Sequence, residues 1–251
     1  MEVKGEIIAL ALSGAPIKID SCNIALIQPK VKDVCVFGED KFLFNVQLMS
    51  KTDQYIRDIK MGNSELEIIP DFNILLAMIE QDKETKKQIE EFLNFIFPGY
   101  VINITLTEIS FKVEDKIVGQ INPINFKDIQ TIIQLLFLPK LKDDGEIEYN
   151  PEGDKAKEIT EKILAGRRKL QQQKSKEEQK NSLFALYTSI LAVGMGADIN
   201  MFMNYTPFQL FDSLNRFFKK NAEDYYTRLS TTPFMDVSKI EPPPSWVDNL
   251  Y

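Results

Sequence analysis

Thr206-Pro207-Phe208-Gln209-Leu210-Phe211-Asp212-Ser213-Leu214-Asn215-Arg216-Phe217-Phe218-Lys219-Lys220 carries the clearest structural signal in the chain. The Thr206 hydroxyl is of the type that accepts from a first-turn amide of a helix. Gln209, three residues on, is spaced to reach back to the Thr206 amide, and the two together make a capping box. Pro207 falls in the first turn, where its missing N–H costs nothing. Phe208, Phe211, Leu214, Phe217 and Phe218 then recur at intervals of three and four, with Asp212, Arg216, Lys219 and Lys220 on the remaining surface. The spacing predicts a helix from Thr206 past Tyr225 and Tyr226 towards Leu229. Such a stripe either fills the chain's own core or is offered to a partner as a helix-in-groove contact.

The same periodicity recurs on both sides. Upstream, Asn181 to Gly194 is almost wholly apolar and predicts a helix that is buried or at an interface, ended by Gly194 and Gly196. Asp198 to Met203 predicts a short helix or turn. From Lys155 to about Lys180 the chain is charged, with a narrow stripe of Ala156, Ile159, Ile163 and Leu164. A helix this polar bridges solvent, moves, or lies against a partner. Lys142 to Asp154, with Gly145, Pro151 and Gly153, is a polar connector.

Before the connector, Pro29 marks a helix start and Gly38 its end, and Glu39 to Ser50 carries Phe42, Val46 and Met49 at helical spacing. Asp53 to Ile56 reads as helix or loop, and Gly62-Asn63 as a turn. Asp71 is placed as the N-cap of a helix with Phe72, Ile74, Leu75, Met78 and Ile79, and Asp82 to Phe97 predicts the next, stopped by Pro98-Gly99. The period then shortens. Val101 to Phe111 is β-branched and near-alternating and reads as one strand, turned at Glu114-Asp115 into a second over Lys116 to Ile121. Asn125 caps a last helix through Phe137, near Pro139. The first residues are weakly marked: Glu6 to Leu12 as strand or short helix, Ser13 to Pro16 as a turn, and Ile17-Lys18-Ile19 and Ile24 to Ile27 as extended chain.

These elements predict an α-dominated α+β protein with a small antiparallel β-hairpin and a helical C-terminal part. The boundaries are an N-terminal α+β domain over 1–140, a connector over 141–154, and a C-terminal helical domain over 155–251 with a Pro-rich tail. That tail, Pro242-Pro243-Pro244-Ser245-Trp246, is polyproline-like chain ending in an aromatic anchor, which can dock in cis on its own domain or in trans on a neighbour.

Composition narrows the chemistry. The chain has 251 residues, 44% of them hydrophobic and 27% charged, as an ordinary globular protein does. A net charge of −7 disfavours generic binding to nucleic acid or an anionic membrane. No apolar run reaches the roughly 18–20 residues of a membrane span, and the acidic Met1 to Glu6 does not open a secretory signal. There is no histidine, which removes Ser-His-Asp and Cys-His catalysis and the common zinc sites. Cys22 and Cys35 lack CxxC spacing and read as free thiols. Gly194-Met195-Gly196 follows a helix where a nucleotide fingerprint needs a strand. Adjacent acids such as Glu90-Glu91 and Asp143-Asp144 read as solvated surface. The basic Arg167-Arg168-Lys169, with Lys174, Lys176 and Lys180, has no interleaved aromatic for base stacking and is diluted by Glu177 and Glu178. No catalytic, cofactor or metal residue emerges. The candidate partner-binding residues are Phe208, Phe211, Leu214, Phe217, Phe218 and Trp246.

Three stretches in order carry a family likeness: Asn150-Pro151-Glu152-Gly153-Asp154-Lys155-Ala156-Lys157-Glu158-Ile159 running into Glu161-Lys162-Ile163 and Gly166-Arg167-Arg168-Lys169; the apolar helix from Leu183 to Gly196; and Tyr205 to Asp212 with Arg216-Phe217 and the later Ser245-Trp246. Gln28 to Val34 and Gly38 to Phe42 add to it. The chain resembles the tail-assembly chaperones of tailed bacteriophages of Firmicutes-type hosts. The resemblance implies a non-enzymatic protein in the host cytoplasm, without cofactor. Its partners would be the tape-measure and tail-tube proteins, with self-association, and it would be absent from the finished virion. Three rivals stand beside it: a permanent tail, neck or baseplate component, a host-directed binding protein, and a carboxylate–metal enzyme.

Overall fold

In a computed structural model the described residues are 5–50, 69–138, 182–232, and 242, 243 and 245–247 of the tail. Asp53 to Ile56, Gly62-Asn63, the connector 141–154 and the charged stretch Lys155 to Lys180 lie outside them. The chain runs α1 (Gly5–Ser13), β1 (Ile17–Ile19), β2 (Ile24–Leu26), α2 (Val31–Phe37), α3 (Glu39–Ser50), α4 (Asp71–Gln81) and α5 (Lys83–Ile96). It continues through β3 (Val101–Ile104), β4 (Ile109–Val113), β5 (Lys116–Ile121), α6 (Phe126–Phe137), α7 (Leu183–Met195), α8 (Ile199–Met203) and α9 (Pro207–Ser230). This is the α+β architecture with a helical C-terminal part that the periodicity predicts.

The sheet content exceeds one hairpin. β1 and β2 pair antiparallel, Ile17 with Leu26 and Ile19 with Ile24. β3, β4 and β5 form a three-stranded antiparallel sheet in chain order. The predicted single strand from Val101 to Phe111 is broken by a turn at Thr105–Glu108. There the Thr105 amide donates to the Glu108 carbonyl (3.0 Å) and the Thr105 Oγ1 accepts from the Glu108 amide (3.2 Å). The β4–β5 turn puts both Glu114 (φ 50°) and Asp115 (φ 63°) in the left-handed region, as a two-residue hairpin loop requires.

Polar side chains lock the β1–β2 turn onto β5. Asn23 Nδ2 donates to the Val118 carbonyl (2.6 Å), and the Gln120 amide donates to the Cys22 carbonyl (3.1 Å). Asn125 stands at the start of α6, but its side chain does not cap it. Its Nδ2 donates to the Ser21 and Gln120 carbonyls (2.9 Å each) and its Oδ1 accepts from the Asn122 amide. Gly119 lies at this junction, where a Cβ would stand 2.4 Å from the Cys22 carbonyl oxygen and 2.5 Å from Ile24 Cγ2. Backbone cannot yield as a side chain tip does. Gly119→Ala is therefore expected to cost about 1–3 kcal/mol, read as a lower urea midpoint with an unchanged m-value.

Two helix starts differ from expectation. α4 is capped by Pro70, and Asp71 is its first residue, where a carboxylate still complements the helix dipole. α2 begins at Val31 rather than Pro29, because Lys30 is extended (φ −80°, ψ 156°) with its amide donating to Asp33 Oδ2. α9 matches its signal. The Thr206 Oγ1 accepts from the Gln209 amide (3.3 Å), and the Thr206 amide donates to Gln209 Oε1 (2.8 Å).

Phe42 sits at the centre of the helical packing. Its ring is fully buried and meets Phe92, Phe95 and Phe137 edge-on, at centroid distances of 5.7, 6.1 and 5.2 Å. Phe97 carries the packing to the sheet through Phe111 (5.1 Å). The C-terminal helices join the same buried cluster, which includes Phe184, Leu191, Phe202, Phe208, Leu210, Phe211 and Leu214. Polar contacts bind them to the N-terminal elements: the Val31 amide donates to the Tyr205 carbonyl (2.8 Å), and Gln209 Nε2 donates to the Leu12 carbonyl (2.7 Å).

Candidate interaction surface

Among the described residues, α7 carries more apolar side chain than is buried. From Ser182 to Ala197 there is no charged residue, yet only Phe184, Thr188 and Leu191 of α7 are buried. The opposite side reaches solvent at Leu186 (43% exposed) and Val193 (85%), and Met195, the last residue of the helix, one turn beyond Leu191, is 58% exposed. Ile199 and Met201 on α8 and Phe218 on α9 are also exposed, and α7 packs against both of these helices. Exposed apolar side chains on packed neighbouring helices, beside a helix that itself carries no charge, fit a protein-binding surface better than scattered surface hydrophobics.

The surface is held firmly. At the start of α7, Ser182 Oγ accepts from the Ala185 amide, and the Glu39 carboxylate, from the first residue of α3, reaches across to it. Glu39 Oε1 accepts from the Leu183 (2.6 Å) and Phe184 amides and Oε2 from the Ser182 hydroxyl. A carboxylate on unsatisfied N-terminal amides complements the helix dipole as well as capping it. Glu39→Ala is expected to cost about 1 kcal/mol, the usual worth of an N-cap, and to speed amide exchange at Leu183 and Phe184 selectively. At the other end, Gly196 takes the left-handed conformation (φ 63°) that closes the helix. Gly194 serves a different purpose: the Phe217 ring stands 2.2 Å from where its Cβ would be. Gly194-Met195-Gly196 is thus a packing and capping motif at a helix C-terminus, with no strand before it.

The candidate partner-binding residues divide. Phe208, Phe211 and Leu214 are buried within the chain, at 1%, 5% and 0% exposure, with Phe211 packed on Phe184 and Tyr187. They fill the core because the first half of α9 faces α1, α6 and α7. A partner cannot reach them in this conformation. Phe217 is half-buried against Gly194, Phe218 is half-exposed and Trp246 is 40% exposed. The outward residues of α7 and α8 were not among the candidates. Their signal was a helix apolar on every side, beside a second stripe already sufficient to fill the core.

Burial pushes the Cys22 thiol up to about 11, and Cys35 is raised by burial and by nearby Glu39, so neither favours a thiolate at neutral pH. Both are free; Cys22 is buried and Cys35 exposed. Glu91 is lowered by its hydrogen bond from Lys41, and Asp82 by bonds from Thr85 and the Glu84 amide, where it caps α5. Among the described residues, no three or more Cys, Asp or Glu side chains are grouped to hold a metal ion. No described helix is long and apolar enough to cross a membrane. No protein-family model, curated protein or solved structure matches the chain.

Proposed function

We propose that this protein is a non-enzymatic assembly chaperone of a tailed phage. It would hold the tape-measure or tail-tube protein in the host cytoplasm while the tail is built. The observation that carries the reading is the uncharged, solvent-facing side of α7, continued by Ile199 and Met201 of α8 and Phe218 of α9. A long apolar client needs a complementary apolar face that is rigid before the client arrives, because a preorganised face adds no ordering cost on binding. The Glu39 cap and the Gly194–Phe217 contact supply that rigidity. The resemblance of Leu183–Gly196 and Tyr205–Asp212 to phage tail-assembly chaperones supports the same assignment. The contact surface is moved outward, from the buried half of α9 to α7 and α8. A second copy presenting the same uncharged face would associate there in the absence of client.

Co-expression with phage tape-measure and tail-tube proteins tests the proposal. The expected result is a soluble complex that forms only when this chain is present, together with its depletion from finished particles. A fixed copy number in purified particles would assign it instead to the virion.

A further inference from the structure

α9 outruns the body it packs on. Its last buried residue is Leu214, although the helix continues to Ser230. Residues 215–230 add about 24 Å of helix, and none of them is buried. The row that enters the core does not stop there. Phe211 is followed, at alternating intervals of four and three, by Asn215, Phe218, Ala222, Tyr225 and Leu229. That alternation holds a seam on one side of a helix and is the spacing by which helices pair as coiled coils. Along the seam Phe218 is 49% exposed and Tyr225 64%, Ala222 is exposed and Leu229 is half-buried. Lys220, Glu223 and Asp224 fall on the other side of the helix.

We propose that this part of α9 is a docking arm for the same arm of a second copy, the two helices running antiparallel. A seam of this spacing takes another helix, and the chain supplies one whose register closes on itself. With a two-fold axis at the level of Glu223 and Asp224, Phe218 meets Leu229 of the second copy and Ala222 meets its Tyr225, each contact occurring twice. A small residue thus faces a large one at the centre. A parallel pair would set Ala222 on Ala222 and Tyr225 on Tyr225, a gap beside a bulge. The flanks agree in charge. Lys219 lies opposite the second copy's Tyr226, whose ring suits a cation, and Asn221 lies opposite its Arg228, so no like charges meet. No residue of α7 takes part, so the contact does not rest on the client reading, and only Phe218 is common to both surfaces. Four side chains from each copy bury less than the roughly 800 Å² per partner of a standard interface. The dimer is therefore reversible, with a Kd on the order of 100 μM.

In sedimentation equilibrium the full-length chain is expected to pass from one copy towards two between about 10 μM and 1 mM. Tyr225→Glu puts a carboxylate on the seam at an exposed site. It is expected to weaken the dimer at least about tenfold, with an unchanged circular dichroism melt. Lys220→Glu, off the seam, is expected to leave the affinity within about twofold. Asn221→Glu faces Arg228 of the second copy in the antiparallel register only, and the two pairs so made are expected to tighten the dimer about two- to tenfold at low salt. A monomer throughout the range would overturn the proposal. Equal weakening by Tyr225→Glu and Lys220→Glu would overturn the seam. A dimer kept by Tyr225→Glu but lost in Val193→Lys would overturn it too, and would put self-association on α7. An Asn221→Glu dimer no tighter than wild type would overturn the antiparallel register.

Discussion

Leu214→Asp is expected to leave no folded protein at 25 °C. Leu214 is fully buried in the first half of α9, which packs on α1, α6 and α7. Removing the side chain alone, as in Leu214→Ala, costs about 2–5 kcal/mol through lost burial and the cavity left behind. The aspartate adds an unpaired carboxylate in an apolar site, worth several kcal/mol more. Together these exceed much of the 5–15 kcal/mol that holds a typical domain. Far-ultraviolet circular dichroism and solubility check the first variant, and urea unfolding the second. Retention of a wild-type melt by Leu214→Asp would mean that this stripe is a free surface, and the packing of α9 described above would be wrong.

Phe42→Ala carries the next largest expected effect, about 3–5 kcal/mol. Its ring is the meeting point of α3, α5 and α6 through Phe92, Phe95 and Phe137. Edge-to-face pairs of this kind add roughly 0.5–1.5 kcal/mol each beyond burial, so the loss should lie at the upper end. The N-terminal and C-terminal helices share one buried cluster. The loss should therefore appear as a single cooperative transition at lower urea, seen alike by helix content and by Trp246 fluorescence. Separate transitions for the two probes would show that the C-terminal helices fold independently of Phe42.

Much of this architecture is written locally. The Thr206–Gln209 capping box, the stop at Gly38 and the alternation of Ile17-Lys18-Ile19 each act over a few residues, and each is realised at its position. The Thr105 turn escaped because it uses a threonine hydroxyl in place of Gly, Pro or Asn, so β3 and β4 read as one strand. Asp71 and Asn125 are cap-type residues at helix starts, yet neither side chain caps its helix. The Pro70 carbonyl accepts from the Asn73 and Ile74 amides at the start of α4, and the Asn125 side-chain amide donates to the Ser21 and Gln120 carbonyls instead.

The interaction surface was half legible. An apolar helix over Leu183 to Gly194 is plain in the sequence, and so is the aromatic stripe of α9. Which of the two fills the core depends on contacts far apart in the chain. Glu39 reaches Leu183 across 144 positions, and the Phe217 ring occupies the space Gly194 leaves open. No periodicity encodes either contact. With α9 turned inward by them, the outer side of α7 is left without cover among the described residues.

The most direct test of that surface is Val193→Lys. Val193 is 85% exposed on α7, and a cation in the last turn of a helix suits its dipole. The substitution should leave the melt unchanged while placing a charge on the apolar face. Measured by co-expression and pulldown with the tape-measure and tail-tube proteins, the account predicts a folded Val193→Lys protein that no longer keeps its client soluble. A Val193→Lys protein that captures client as well as wild type would contradict it.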